Sequence, residues 1–272
     1  MGRGQVRRST AVHPDRRRRT RDGAGVTISL QFHPNWPHGG RMAIESMGLL
    51  GFYRSQFVTG VSNGGLTAFP GGDRWRWESR MFASRYDELS GAARPVYGVW
   101  NRRDDPYGGG IRFGSSYFRL KAEAIDRSTF CFPDSARQPE HFGDKKILPQ
   151  LCQLADASGF DDLDEYVEAH VHGDVRFDKD VDAVVLDPSF IGTPVDEAAR
   201  TLGCPVEYHQ GFRAAPDDFD PAYRGQHIVD LARTLGSELT PELLGHAARS
   251  GVHPAQSVKQ VWHCLARFGR AA

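Results

Sequence analysis

The sequence predicts an α+β domain. Three observations carry this: short alternating segments rich in β-branched and aromatic residues, segments with helical apolar spacing scattered irregularly among them, and a closing stretch helical throughout. The 272 residues, 39% hydrophobic and 25% charged, are enough for one large domain or a domain with a small appendage.

Residues 1–25 stand apart from the rest. Eight arginines against Asp15 and Asp22 give this segment a surplus of six positive charges, so the net charge of zero conceals an equally negative remainder. The run Arg16–Arg19, set among Gly, Ser and Thr, lacks the apolar surface needed to order itself. It reads as a disordered basic tail, with weak contact to nucleic acid as its alternative role.

Order begins near Val26. Val26–Phe32 alternates as a strand and breaks at His33-Pro34, where proline offers no ladder donor. Arg41–Leu50 sets Met42, Ile44, Met47, Leu49 and Leu50 around one broad face and stops at Gly51, which predicts a short helix. Tyr53–Gly72 is polar, glycine-punctuated and dotted with aromatics. That is long for an idle connection and suits a ligand loop. Asp73–Tyr86 reads as a helix whose aromatic residues pack in the core. Pro95–Trp100 and Arg112–Leu120 alternate as strands, and the turn-rich RRDDPYGGG between them predicts a long hairpin. Helical spacing returns over residues 145–158. Strands are expected over Tyr166–His172 and Val181–Leu186, a helix over Pro194–Leu202, a strand over Pro205–His209, and two helices over Thr240–Phe268, parted near Gly251. The expected organisation is a basic tail over 1–25, a catalytic-type domain over 26–235, and C-terminal helices packed on it over 236–272.

Several function classes are disfavoured. No apolar run approaches membrane length, and no signal-peptide core follows the basic tail, so a soluble, cytoplasmic protein is expected. Cys131, Cys152, Cys204 and Cys264 form no C-x-x-C pair, so they suggest reduced, isolated thiols rather than a disulfide framework or a zinc site built on cysteines. A Walker A loop and a strand-linked G-x-G-x-x-G are both missing from the sequence.

Three places carry groups suited to chemistry. His33 sits at a strand end where a loop starts. The loop that follows offers aromatic faces, a permanent cation and hydrogen bonders, namely Tyr53, Arg54, Gln56, Ser62 and Asn63, a set fit for a nucleotide with phosphates. In YVEAHVHG, the strand period of two puts Glu168, His170 and His172 on one side and Val167, Ala169 and Val171 on the other. One carboxylate and two imidazoles in a row suit acid–base chemistry, a hydroxyl contact or a metal.

The stretches FHPN, GFYRSQFVTGVSNGGLTAFPGGDRWRWE, RPVYGVWN, RFGSSYFRL, YVEAHVHGDV, VVLDPSFIGTP and YHQGF resemble a bacterial family known as domain of unknown function 3626, over most of residues 27–250. The segment EAHVHGDVRFDKDVDAVVL more distantly resembles the surroundings of the catalytic glutamate in ADP-ribosyltransferases. That second resemblance implies a split β-sheet core with flanking helices, and cleavage of the nicotinamide N-glycosidic bond of NAD with transfer of ADP-ribose to an acceptor. The acceptor class, whether protein, nucleic acid or small molecule, stays open. By the same resemblance Glu168 is the catalytic glutamate, with His33 as the early-strand residue and Arg54 as its rival. Tyr97, Arg112, Ser115 and Ser116 compete for the middle-strand position. Arg54 or Arg112 is expected at the pyrophosphate, and Tyr53 or Tyr97 against nicotinamide. His170 or His172 is expected to orient the glutamate or activate the acceptor. Two departures stand out: no clear Ser-Thr-Ser motif, and Glu165-Tyr-Val-Glu168 in place of Glu-x-Glu. A different expectation rests on His170-x-His172-Gly173-Asp174, which suits a metal-dependent hydrolase drawing further ligands from His33, His38, His141 or His209. A third is a non-catalytic protein that binds nucleic acid through its N-terminal arginines.

Overall fold

The computed structural model describes residues 27–60 and 68–271. The basic tail and the loop residues Ser62 and Asn63 lie outside the described residues.

Eight strands build the main sheet: β1 (Ile28–Phe32), β2 (Val96–Trp100), β3 (Ser116–Leu120), β4 (Ser128–Phe132), β5 (His141–Gly143), β6 (Val167–Val171), β7 (Val181–Leu186) and β8 (Val206–Tyr208). They run in the order β8-β7-β3-β1-β2-β6-β4-β5, and all neighbours are antiparallel except β7 and β8. The main helices are α1 (Ala43–Leu50), α2 (Asp73–Met81), α3 (Leu148–Ala157), α4 (Pro194–Ala199), α5 (Gln226–Leu235), α6 (Pro241–Ser250) and α7 (Ala255–Phe268). No helix among the described residues is long and apolar enough to cross a membrane.

The period of two divides the sheet into a core face and a polar face. Ile28, Leu30 and Phe32 of β1, Phe130 and Phe132 of β4, and Val167, Ala169 and Val171 of β6 join one apolar cluster with Ile44 of α1, Leu148 and Leu151 of α3, and Val195 of α4. The intervening residues lie on the opposite face, where register pairs Val99 with Glu168, Tyr97 with His170, Cys131 with Glu168 and Thr129 with His170. Over that face sit α2 and the three C-terminal helices, whose own apolar cluster gathers Trp262, Phe212, Ile111 and Tyr107. β6 is therefore buried on both sides. Its carboxylate and first imidazole face packed protein, and a half-exposed strand is excluded.

The expected hairpin of Pro95–Trp100 with Arg112–Leu120 does not form, because β1 lies between these strands and pairs with both. The connection crosses β1 and is tied to its polar side chains: Gln31 Nε2 donates to Tyr107 O at 2.7 Å, and Gly109 N–H donates to Ser29 Oγ at 2.9 Å. The helix expected over Asp73–Tyr86 ends at Met81, since Ala83 and Ser84 take the left-handed φ values of 48° and 60°.

One feature of the sheet positions the site. β1 and β2 share two residue pairs, Ile28 with Trp100 and Ser29 with Val99, whereas β2 and β6 share five. The first two strands close to contact and then part. At Gly98 a Cβ would lie 2.6 Å from Leu30 Cδ2 and 2.9 Å from Ser29 O, so a side chain has no room at the point of divergence. Beyond it, Gln31 and His33 on one side and Tyr97 on the other border a cleft.

Candidate active site in the split of the sheet

The cleft has two adjoining chambers. One, of about 270 Å³, is lined by Glu168, Tyr97, Gln31, Arg74, Arg112 and Tyr166. The other, of about 140 Å³, is lined by His33, Trp36, Met47, Arg54 and Ser55. Tyr53, Gln56 and Tyr97 border both.

Glu168 is 9% exposed. Its Oε1 accepts from Ser135 N–H at 3.1 Å and from His170 Nε2 at 2.8 Å, with Cys131 Sγ at 3.7 Å. No hydrogen bond from the described residues falls on Oε2, so this oxygen is left for a ligand. Burial by itself would raise the Glu168 pKa. The His170 hydrogen bond, the Ser135 N–H and the Arg74 charge outweigh it and hold the carboxyl below its ordinary value.

Behind Glu168 runs a chain of hydrogen bonds. His170, fully enclosed, meets Thr129 Oγ1 through Nδ1 at 3.2 Å; the same hydroxyl meets His172 Nε2 at 3.0 Å; and His172 Nδ1 meets the Tyr86 hydroxyl at 2.6 Å. With neutral imidazoles one direction satisfies every bond: Tyr86 O–H donates to His172, His172 to Thr129, Thr129 to His170, and His170 to Glu168. Phe82 sets its ring edge-on to both imidazoles, with centroids 5.5 and 5.4 Å away. Burial, followed by the neighbouring cationic groups, lowers the His172 pKa to about 4.

Tyr97 is held from the opposite wall. Its hydroxyl donates to Glu78 Oε1 at 3.0 Å and accepts from Trp77 Nε1 at 3.3 Å, while Glu78 Oε2 takes Arg94 Nη1 at 2.6 Å in a buried ion pair. The Arg74 guanidinium lies 4.3 Å over the Tyr97 ring, and its Nε and Nη1 are buried with no hydrogen-bond partner among the described residues. Gln31 Oε1, Gln56 Oε1 and Asp134 Oδ1 are likewise buried and unpaired, and all three residues border the Glu168 chamber. Buried polar atoms are normally satisfied, so several orphans around one cavity mark a place prepared for a polar ligand. In the second chamber His33 stacks on Trp36, with ring centroids 4.1 Å apart, and burial first, then Lys259 and His263, depress its pKa well below the ordinary value. The ring is neutral and able to donate at one nitrogen and accept at the other.

The family model described as "Protein of unknown function (DUF3626)" matches residues 27–155 and 144–263. The chain belongs to this family. No curated protein matches it. Among solved structures, Thermus sp. 2.9 DarT in complex with NAD+ is similar over 68% of this chain and 96% of that one, with 11% identity and a TM-score of 0.39.

In this DUF3626 chain the cleft gathers Glu168, His33, Tyr53, Arg54, Gln56, Tyr97 and Arg112 from the residues singled out in the sequence. Ser115 is not among the lining residues. It is buried beside β3, where its carbonyl accepts from His209 Nε2 at 2.8 Å. His170 is not among the residues lining either chamber and meets Glu168 from behind. His172 is turned to Thr129 and Tyr86, so the two histidines do not form a joint ligand pair. Among the described residues, the set that could hold a metal ion is instead Cys131, Glu168 and His170, whose ligand atoms lie within 4.8 Å of one another. Arg54 leans on Phe52 and meets Asp174 at 3.5 Å, and Arg112 is paired with Asp164. The sequence reading missed Arg74, Gln31, Thr129 and Cys131. A signal existed for two of them, since STFCF before Pro133 alternates as Val26–Phe32 does and marks the strand that carries Thr129 and Cys131.

Proposed function

We propose that this protein cleaves the nicotinamide N-glycosidic bond of NAD and transfers the ADP-ribosyl group to a second substrate. The observation that carries this reading is Glu168, an ionised carboxylate fixed through one oxygen, with the other free, at the base of a cleft bordered by a neutral histidine and an unpaired buried guanidinium.

In the reaction the C–N bond to nicotinamide breaks and its electron pair leaves with the ring. Positive charge develops at the ribose C1′, the acceptor nucleophile adds there, and the acceptor's proton passes to solvent. Glu168 Oε2 takes a ribose hydroxyl and stabilises the developing charge more than it stabilises the ground state. His33 hydrogen-bonds a second hydroxyl. Arg74, with two unpaired nitrogens, is better suited to the pyrophosphate than Arg54 or Arg112, whose charges are already met by Asp174 and Asp164. Tyr53 is the ring for nicotinamide, since Arg74 covers Tyr97.

Calorimetric titration of NAD into the full chain tests the assignment. Glu168→Gln retains affinity within about threefold, whereas Arg74→Leu weakens it by roughly tenfold or more, the scale of a lost charged hydrogen bond. Unchanged affinity in Arg74→Leu removes the pyrophosphate role. A metal-dependent reading is favoured by the Cys131, Glu168 and His170 set, and elemental analysis separates the two: stoichiometric metal lost in Cys131→Ser supports a metal enzyme.

A further inference from the structure

The last helix carries two side chains, Lys259 and His263, that no described carboxylate meets. Lys259 and His263 are one turn apart on α7 and share a face. His263 is 4% exposed and neither of its ring nitrogens has a hydrogen-bond partner among the described residues. Lys259, half-buried, forms no ion pair with any described residue, and the charge acting on it is that of Arg112. Arg224 stacks 4.3 Å over Tyr223 and leaves its buried Nε unpaired. Arg112 is fixed against the same helix, since its carbonyl accepts from Trp262 Nε1 at 3.3 Å. The His33 ring meets Trp262 edge-on at 5.0 Å.

Arg112, Arg224 and Lys259 bring charges of one sign around a neutral His263. Burial lowers Lys259 to about 8 and His263 to about 3; Arg112 adds to both, Arg224 and Lys259 add to His263, and no carboxylate offsets either. Asp164, paired with Arg112, is the acid at the edge of the group. A fold that keeps unpaired donors and like charges together, where apolar side chains would be more stable, has a site shaped for an anion. The group adjoins the cleft, because the neighbouring Arg112 borders the Glu168 chamber, as Arg74 does.

We propose that Arg224, Lys259 and His263, beside the Arg112–Asp164 pair, form a subsite for a phosphate group carried by the second substrate. The second-substrate part rests on the ADP-ribosyl reading; the phosphate site does not. A tetrahedral dianion matches donors that arrive from a guanidinium, an ammonium and an imidazole at once, and a neutral His263 still donates one N–H.

The test is titration of inorganic phosphate, then of a nucleoside 5′-monophosphate, into the full chain, followed by the His263 ring signals in NMR. The expected result is a saturable shift in wild type and in Glu168→Gln, at least tenfold weaker in Lys259→Met, and unaltered by saturating NAD. The monophosphate is expected to bind at least tenfold more tightly than inorganic phosphate. His263→Leu is expected to lose the phosphate response in thermal denaturation and to melt higher than wild type, since an unpaired imidazole gives way to an apolar side chain. No saturable shift, equal affinity in Lys259→Met, or a lower melting temperature in His263→Leu would overturn the site. Competition by NAD, or equal affinity for the two phosphates, would overturn its assignment to the second substrate. Silence in a nicotinamide-release assay leaves these readings untouched, so failure of the site and failure of the ADP-ribosyl reading are told apart.

Discussion

Thr129 is the link at which the chain behind Glu168 is most cleanly interrupted. Thr129→Val keeps the shape and removes the hydroxyl that bridges His170 Nδ1 at 3.2 Å and His172 Nε2 at 3.0 Å. His170 is fully enclosed, so water cannot replace the lost partner, and an unsatisfied buried group costs about 1–3 kcal/mol. His172 is half-buried and loses less. Together these give about 2–4 kcal/mol, or a fall in Tm of roughly 4–16 °C for a domain of this size. The functional consequence is separate. His170 without its hydroxyl partner holds Glu168 less firmly, and the loss of about 1 kcal/mol of transition-state stabilisation lowers kcat roughly fivefold. KM for NAD is expected to stay unchanged, because the nucleotide is bound by other residues. Thr129→Ser restores both quantities. The assay is nicotinamide release under saturating NAD, paired with thermal denaturation. A Thr129→Val protein that is destabilised but retains full kcat would show the chain to be structural only and refute the positioning argument.

Other perturbations follow from the same geometry. Arg94→Met strands the buried Glu78 carboxylate; the cost of about 3–5 kcal/mol, read from urea midpoints, is expected to exceed that of the Arg94→Met/Glu78→Leu double variant. Equal costs would mean that the pair is not coupled. For pH, His172 and His263 titrate near 4 and 3 in the fold, below the ordinary histidine value of 6.5, so the unfolded chain binds protons first on acidification. Stability is full above pH 6.5 and falls as pH drops toward 4, by on the order of 5 kcal/mol for the two histidines together once the partial exposure of His172 is discounted, and a flat urea midpoint between pH 7 and 4.5 would contradict this. Glu168 adds to the acid limb with the same sign, since its depressed carboxyl contributes above the unfolded value near 4.5 and is lost below it.

Much of the site was legible because strand periodicity is a local property. Alternation in YVEAHVH put Glu168 and His170 on one face, and the pleat of β6 keeps them there. The proline after His33 marked the end of β1, where the cleft opens. What stayed hidden depended on contacts distant in sequence. The hairpin expectation failed because local turn chemistry does not reveal that a strand from residues 28–32 inserts between its arms. Arg74 lies in a segment whose pattern suits a surface helix, and it becomes a cleft residue through packing over Tyr97. The aromatic residues of that helix were expected in the core; Trp77 is buried as expected, yet also borders the cleft and holds the Tyr97 hydroxyl. Lys259 and His263 were not singled out in the sequence, although they stand on a terminal helix among Val258, Val261, Trp262 and Leu265. Their burial depends on how that helix docks, which includes Trp262 Nε1 donating to Ile111 O at 3.1 Å.

The most direct test of the central claim is nicotinamide release from NAD by wild type and Glu168→Gln, followed by chromatography with cell lysate as the acceptor source. The account predicts release by wild type and a loss on the order of 100-fold or more in the variant, the scale of one electrostatic stabiliser. Equal release by the two proteins would contradict it, and so would the absence of release by wild type with and without acceptor.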